Sequence, residues 1–480
     1  MPAAEFSPQY LSDWFFAVRQ AVPPGGGVSL VGGAVRDALL HQQSRDLDFV
    51  LPGDALRLAR QVANALGGAY YPLDSQRGTG RVILAPAGAR PVTLDFSRER
   101  GGDLASDLAA RDFTINAIAV SLDALDRLVD PLAGQADLKA HRLRACSERS
   151  ILEDPLRILR AARLAETFDL SVERRTLRLI HAGLPHLNRV SAERLRDEIF
   201  RILESGQPGG GIGRLVAFGA AGACFPGLEG LAPRAGWARA ARGLRNFRET
   251  VRLLTGGREP ASPGAHLDGL DALRGAHGHR IAAHLAGELV PGRSRLGLLS
   301  LAALYRSVLI EGASAPAGTR AAGCETPVEE IGTRLVLSGP EIETWLKVCQ
   351  ACQGIGEMGE ESRLPGEREI YRYFRAYGAA GLDGCLLALG SAGGGADTRR
   401  EETSGEICGR LFDAWWNHPE QSVRPPILVD GWDLQAELGI RPGPQVGRLL
   451  EEIRESQVEG TVSTREQALQ LARRWIARAE

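Results

Sequence analysis

The sequence predicts a small mixed α/β head followed by an all-helical remainder. Three observations predict it. Between Val28 and Ser97, short apolar runs with strand alternation are interleaved with runs of helical spacing. From about Gly206 the chain reads as helix after helix. At 480 residues it is too long for one core and should hold three or four domains.

The elements follow in order. Residues up to Pro24 read as an amphipathic helix (Leu11, Phe15, Val18) ending in a Pro-Pro-Gly-Gly-Gly turn. Val28–Val31 is a strand, Gly32-Gly33 a turn, Ala34–Leu40 a helix, and a second strand carries Asp46 and Asp48. Residues two apart on a strand share a face, so both carboxylates point at one spot. Two like charges that close repel, and a divalent cation is the usual remedy. The two glycines let the backbone approach a ligand, and the N–H groups of the following helix face an anion there. A triphosphate bridged to the carboxylates by Mg²⁺ satisfies every part of this arrangement. Alone, a Gly-Gly turn or an Asp-x-Asp at a strand end is commonplace; together they are specific. Ala55–Leu66 has helical spacing, and short strands follow at Ala69–Leu73 and Arg81–Leu84. Pro91–Ser97 alternates, with Leu94 and Phe96 on one face and Thr93, Asp95 and Ser97 on the other. Asp95 is thus either a third carboxylate beside Asp46 and Asp48 or a solvent-facing strand residue. The pattern suits a small mixed sheet with helices on one side.

Composition narrows the class. Hydrophobic content of 44% and charge of 24% are ordinary for a soluble globular protein. No run is long and apolar enough for a membrane span, and the polar N-terminus is not a signal peptide. Seven scattered cysteines suggest reduced thiols in a cytoplasmic protein. Cys349 and Cys352 form a lone C-x-x-C, read as a buried helical pair rather than a zinc site. A net charge of -2 gives no global basic field. Locally, Arg142 to Arg248 is arginine-rich.

Gly32-Gly33-Ala34-Val35-Arg36-Asp37, followed about ten residues on by Arg45-Asp46-Leu47-Asp48, resembles the signature of the nucleotidyltransferase superfamily. The resemblance is to its class II tRNA nucleotidyltransferase (CCA-adding) and bacterial poly(A) polymerase branch. Arg111-Asp112-Phe113-Thr114-Ile115-Asn116-Ala117 is similar to the family's second motif. The resemblance implies nucleotide contacts from Gly32, Gly33, Arg36, Arg111, Asp112 and Asn116. Arg111 suits a triphosphate, and Asp112 can accept from ribose hydroxyls. Asp130-Pro131-Leu132-Ala133-Gly134 matches the third motif, a hinge between head and neck.

Glu153-Asp154-Pro155-Leu156-Arg157-Ile158-Leu159-Arg160 matches the fourth motif. By itself Asp154-Pro155 is a helix N-cap with proline at the first helical position. The family assigns it base choice, with Asp154 and Arg157 as neighbours three apart on a helix. A carboxylate beside a guanidinium complements cytosine and adenine. Guanine and uracil place a carbonyl where the amine should be, a mismatch costing roughly 1–3 kcal/mol. Arg160 and Arg163 continue around the helix and suit the triphosphate. Ser191–Glu198 (SAERLRDE) looks like the fifth motif, a helix bracing the neck.

Beyond Gly206, the segments around His266 and at Leu298–Ile310 resemble a degenerate HD-type phosphohydrolase module. Tyr305 and Arg306 stand where its His and Asp ligands belong. Glu369–Leu389 reads either as an RNA-facing surface or as core with Tyr371 and Phe374 inward. Ser391–Asp397 reads as a flexible linker. Pro425–Arg474 resembles the C-terminal segment of longer family members, and its turn Gly439–Pro444, opening a helix at Gln445, suits an RNA phosphate. The expected domains are the head (1–145), neck (146–205), helical body (206–390), Gly-rich linker (391–405) and helical tail (406–480).

The resemblance implies an enzyme that adds C and/or A from CTP and ATP to the tRNA 3′ end without a nucleic-acid template. Asp46 and Asp48 would hold Mg²⁺ in a two-metal mechanism, with Asp95 as a third catalytic carboxylate. No membrane and no protein partner is implied. A CC-adding or A-adding partial enzyme and a poly(A) polymerase are the alternatives within the family. A phosphohydrolase built on the body and a non-catalytic RNA-binding scaffold are the alternatives outside it. Enzymes that finish the whole CCA end usually carry a longer segment where this chain has only Arg98–Arg111. The short segment has less reach. Short segments occur in CC-adding, A-adding and poly(A)-type relatives, so the segment alone does not decide the product; the expectation is a partial reaction, with CC addition slightly favoured over A addition.

Overall fold

The computed structural model describes residues 7–74, 78–85, 91–231, 235–256, 266–309, 325–360, 363–392 and 398–479. The chain divides into two compact units, residues 1–199 with 205–225, and residues 200–204 with 226–480.

In the first unit the order is α1 (Asp13–Ala21), β1 (Ser29–Val31), α2 (Gly33–Leu39), β2 (Asp46–Leu51), α3 (Ala55–Leu66), β3 (Ala69–Asp74), β4 (Thr79–Leu84) and β5 (Val92–Arg98). After it come α4 (Leu104–Ala109), β6 (Ala119–Ser121), β7 (Leu128–Val129) and α5 (Gly134–Lys139). The strands pair in the order β3-β4-β5-β2-β1-β6-β7. The β2–β5 pair is parallel and its neighbours are antiparallel, so the sheet is mixed as expected.

Period-2 alternation sorts the side chains onto two faces. Leu47, Phe49 and Leu51 of β2 join Leu94 and Phe96 of β5 in the main core, under Phe15 and Val18 of α1 and Leu58 and Val62 of α3. Phe49 stacks on Phe96 with ring centroids 4.9 Å apart. The helices are not confined to this side. Val31 and Val50 alternate onto the opposite face, where Leu108 and Leu104 of α4 cover them. Asp46 and Asp48 share that second face with Val50, beyond the patch that α4 covers.

The neck follows as β8 (Arg142–Leu143), α6 (Ser150–Glu153), α7 (Arg157–Thr167), β9 (Ser171–Val172), α8 (Arg174–Gly183), α9 (Ala192–Leu203) and α10 (Pro208–Phe218). A two-residue parallel ladder of β8 with β9 ties its start to its middle. The third motif is a turn: Asp130 accepts from the N–H groups of Gly134 and Gln135, and Ala133 adopts φ 55°. The expected boundary at 206 is not where packing divides. α10 packs on α7, and Arg214 pairs with Glu166 at 3.3 Å, both within the first unit.

The second unit is helical apart from a two-stranded ribbon, Glu288–Val290 with Arg293–Ser294. Cys349 and Cys352 are both buried in the helix Gly339–Glu360, as expected of a core pair. Tyr305 is buried, donates to the Pro226 carbonyl at 2.9 Å and packs on Trp345. Arg306 donates to Ser391 Oγ at 3.2 Å. Both residues at the expected ligand positions are thus architectural; the side chain of His266 lies outside the described residues.

Glu369–Leu389 resolves as core rather than an RNA surface. It forms parts of two helices, Glu367–Tyr377 and Ala380–Ala392, with Tyr371, Tyr373 and Phe374 buried. Its arginines Arg372 and Arg375 pair within the chain, with Glu455 and Glu451 of the helix Pro444–Val458, and the adjoining Arg368 pairs there too, with Glu452 and Glu455. The expected linker over 391–405 is also shorter. The preceding helix runs to Ala392, and a new one, Thr398–Trp416, packs on its neighbours; residues 393–397 lie outside the described residues. The C-terminal module closes its own small core from Leu434, Leu449, Ile453, Ala468 and Ala472. Among the described residues, no helix is long and apolar enough to cross a membrane.

Candidate active site

The site is built at the end of β1 and along the open face of β2. Gly32 follows β1 with φ 79° and ψ −138°, a conformation that excludes side chains with a Cβ. Space is tight as well: a Cβ there would lie 3.2 Å from Arg111 Nη1 and 3.5 Å from Asp48 Oδ2. The Gly32 backbone therefore floors a recess with a guanidinium and a carboxylate on its rim. Gly33 starts α2 with only ordinary contacts at its Cβ position, so nothing in the backbone demands glycine there.

Asp46 and Asp48 are exposed on β2 while the intervening Leu47 is buried, as the alternation requires. The parallel register sets Asp48 directly beside Asp95 of β5. Asp48 meets solvent, yet it sits in a crowded recess. That crowding pushes its carboxyl above the ordinary range; Arg111 opposes the shift, and Asp95 and Asp46 add to it. Three carboxylates repelling in one place, all hard oxygen donors, fit a divalent cation. In this structure Asp95 spends both oxygens on Arg81, at 2.8 and 2.7 Å. Among the described residues, no three His, Cys, Asp or Glu side chains converge as a ready metal cage.

The second motif supplies the opposite charge. Arg111 is held by Asp107 of α4, and both Arg111 and Arg160 act on the Asp48 charge. Arg160 of α7 reaches Asp112 with Nε at 2.8 Å and Nη2 at 2.7 Å. Burial alone would push the Asp112 carboxyl up. Arg160, the Phe113 amide and the Asn116 side chain outweigh it and hold the carboxyl at about 2. Asn116 in turn accepts from Arg36 Nη1 at 2.6 Å, forming a buried chain Arg36–Asn116–Asp112–Arg160.

Arg36, Asp112 and Asn116 are thus brought together, but facing one another rather than an open site. Arg36 is 8% exposed, pairs with Asp37 and lies over the Phe168 ring at 4.2 Å. This guanidinium is committed on three sides, to Asp37, Asn116 and the Phe168 ring. Arg163 is likewise turned away, to Glu198 of α9 at 2.6 Å.

The fourth motif departs further from expectation. Asp154 is not the N-cap of α7; it is the C-cap of α6, and α7 starts only at Arg157 with Leu156 before it. The pair is therefore not two neighbours on one helix face. Asp154 Oδ2 accepts from Arg194 of α9 at 2.8 Å, while Oδ1 is shut off from solvent without a partner. Arg157 Nη1 donates to Arg111 O, Ser150 O and Ser150 Oγ, and Nη2 to Ala110 O. Burial first, against Asp112 and Asp154, leaves Arg157 a weaker base than a free arginine.

Sequence reasoning passed over Asp107 and Arg81, and placed Arg194 and Glu198 only in the fifth motif's bracing helix, without their partners Asp154 and Arg163. Only Asp107 carried a local signal, since it stands four residues before Arg111 and shares its side of the chain.

Residues 28–144 match the family model for the poly(A) polymerase head domain. Residues 169–231 match one for an RNA- and SrmB-binding site of polymerase A, and 422–472 match tRNA nucleotidyltransferase domain 2. The chain is 34% identical to a CC-adding tRNA nucleotidyltransferase of Geobacter sulfurreducens, over 92% of this chain and 91% of the relative. It is 32% identical to an A-adding tRNA nucleotidyltransferase of Deinococcus radiodurans, over 96% and 98%. Among solved structures, a CCA-adding enzyme in complex with ATP is similar in fold, with a TM-score of 0.65 at 21% identity, covering 100% of this chain and 99% of that one.

Proposed function

From the premise that the chain belongs to the tRNA nucleotidyltransferase family, we propose that it adds C and/or A from CTP and ATP to the 3′ end of tRNA. The observation that carries this reading is the recess at Gly32, where Asp46 and Asp48 share one strand face and Arg111 stands on the rim.

In the proposed reaction the 3′-hydroxyl oxygen of the RNA bonds to the α-phosphorus, and the bond to the departing pyrophosphate breaks. Asp46 and Asp48 would hold Mg²⁺, with Asp95 available once it leaves Arg81. The metal, when bound, lowers the hydroxyl pKa and neutralises the leaving pyrophosphate. Arg111 and the exposed end of Arg160 bind the triphosphate oxygens. Gly32 lets the nucleotide lie against the backbone. The buried Arg36–Asn116–Asp112 chain keeps Arg160 in place, which is a bracing role for residues expected to touch nucleotide.

Asp154 is the acceptor for the exocyclic amine of cytosine or adenine. Arg157 gives Nη1 and one N–H of Nη2 to backbone carbonyls and Ser150, and its Nε–H and second Nη2 N–H are the donors it offers the base. A partial reaction remains our reading of the product, with CC addition favoured. Only residues 99–103 separate β5 from α4, which leaves little chain to reshape the pocket between bases. The Geobacter sulfurreducens and Deinococcus radiodurans relatives, both matched along nearly their whole length, are each partial enzymes by name.

The test supplies tRNA lacking all three terminal residues with Mg²⁺ and with CTP, ATP or both, and sequences the products. Product stopping at CC is expected. Product ending in CCA at the rate of C addition overturns the partial reaction, and no incorporation of any nucleotide overturns the whole reading.

A further inference from the structure

Asp107 is 1% exposed, on the short helix α4, and both of its oxygens are taken by arginines. Oδ2 accepts from Arg111 Nε at 3.1 Å and Nη2 at 3.0 Å. Oδ1 accepts from Arg100 Nε at 3.1 Å and from the Arg100 amide at 3.3 Å. A guanidinium is a planar fork, so fixing its Nε–Nη2 edge fixes where the third nitrogen points. The nitrogen left over is Nη1, the one that borders Gly32 together with Asp48 Oδ2. The main chain of Arg111 is pinned as well, because its carbonyl accepts from Ser150 Oγ and Arg157 Nη1.

We propose that Asp107 is a positioning residue that aims Arg111 Nη1 into the nucleotide recess, and that Arg100 holds Asp107 for that task. The inference rests on the assignment of Arg111 to the triphosphate. A long arginine side chain has several rotors, and a ligand that must order them loses affinity. Asp107 orders them beforehand. It touches neither substrate nor metal, and its effect passes entirely through Arg111. Arg100 is 58% exposed, and its charge is screened by water. Its own contribution is accordingly smaller: it keeps the carboxylate from rotating away and shares the charge that would otherwise bear on Arg111 alone.

The experiment is steady-state kinetics on the full chain with a tRNA primer, varying CTP and tRNA separately and recording Tm for each variant. Asp107→Asn keeps the size of the side chain and removes its charge. It should raise KM for CTP about tenfold, with kcat and KM for tRNA within about twofold. Asp107→Glu should recover part of the loss, and Arg100→Ala should raise KM for CTP by about twofold. Arg111→Ala should raise it most, and adding Asp107→Asn to Arg111→Ala should raise it no further. Additive effects in the double variant, or a fall in kcat and Tm with KM for CTP unmoved, would make Asp107 a structural staple and overturn the proposal. If Arg111→Ala itself leaves KM for CTP unchanged, the triphosphate assignment fails and the inference falls with it. If Arg111→Ala acts and Asp107→Asn does not, the inference alone is lost.

Discussion

Two crowded carboxylates, Asp48 in the first unit and Glu455 in the second, are handled in opposite ways. In the head, Asp48 stands beside Asp46 and Asp95, and crowding and like charge lift its carboxyl above the ordinary range. In the second unit, Glu455 receives Arg372 and Arg368, whose hydrogen bonds hold its carboxyl below its ordinary value against the opposing effect of burial. Asp383 is fully buried with His284 and Arg295, and Glu341 is buried with Arg293 at 2.6 and 2.8 Å. Carboxylates that the chain neutralises are architecture. The crowded pair Asp46 and Asp48 on β2 carries the cation site proposed above.

The largest test of that contrast is Asp48→Ala. Incorporation of every nucleotide should fall by about a thousandfold or more, since the cation loses a ligand. Tm should hold or rise, because folding no longer crowds a charge beside Asp46 and Asp95. Activity within tenfold of the parent, or a marked loss of Tm, would place Asp48 with the architectural carboxylates.

Arg160→Ala comes next. It removes the exposed end of the buried chain through Asp112 and uncovers a carboxylate held at about 2 by that contact. Turnover should drop by about a hundredfold, with part of the loss appearing as instability of the neck. A purely thermal effect, with normal KM for nucleotide, would move Arg160 to the bracing set.

Asp154→Asn should act on choice rather than rate. An amide can donate to the carbonyl of uracil or guanine, so preference for CTP over UTP should narrow by about tenfold. Unchanged preference would leave Asp154 as no more than the partner of Arg194.

The smallest effect belongs to the second unit. Glu455→Gln should cost about 1 kcal/mol at neutral pH, because Arg372 is 58% exposed and solvent screens the pair. Nucleotide incorporation should not change. The sign with pH follows from the depressed folded value. The stability that Glu455 contributes is complete above the unfolded carboxyl value near 4.5 and is lost as pH falls through the lower folded value. The Tm gap between parent and variant should therefore be widest near neutrality and close in acid. A gap independent of pH would mean that the carboxylate charge is not what Arg372 and Arg368 recognise.

The sequence by itself determined whatever depends on local periodicity and local backbone. Alternation put Asp46 and Asp48 on one face, and β2 and β5 keep that alternation in the fold. The glycine at 32 announced a conformation that no other residue takes, and the mixed head before a helical remainder was readable from spacing alone. Tertiary structure decided the partners, because they lie far apart in the chain and register chooses among many arginines. Arg81 meets Asp95 across 14 residues, Arg160 meets Asp112 across 48, and Arg36 meets Asn116 across 80. The same holds for the second sheet face, where Val31 and Val50 find cover only once α4 folds across them. A guanidinium in a motif can contact substrate, brace its neighbours or tie down backbone carbonyls with equal chemical ease. Which of these it does is set by the acceptors packed within its reach, and sequence spacing does not encode that neighbourhood.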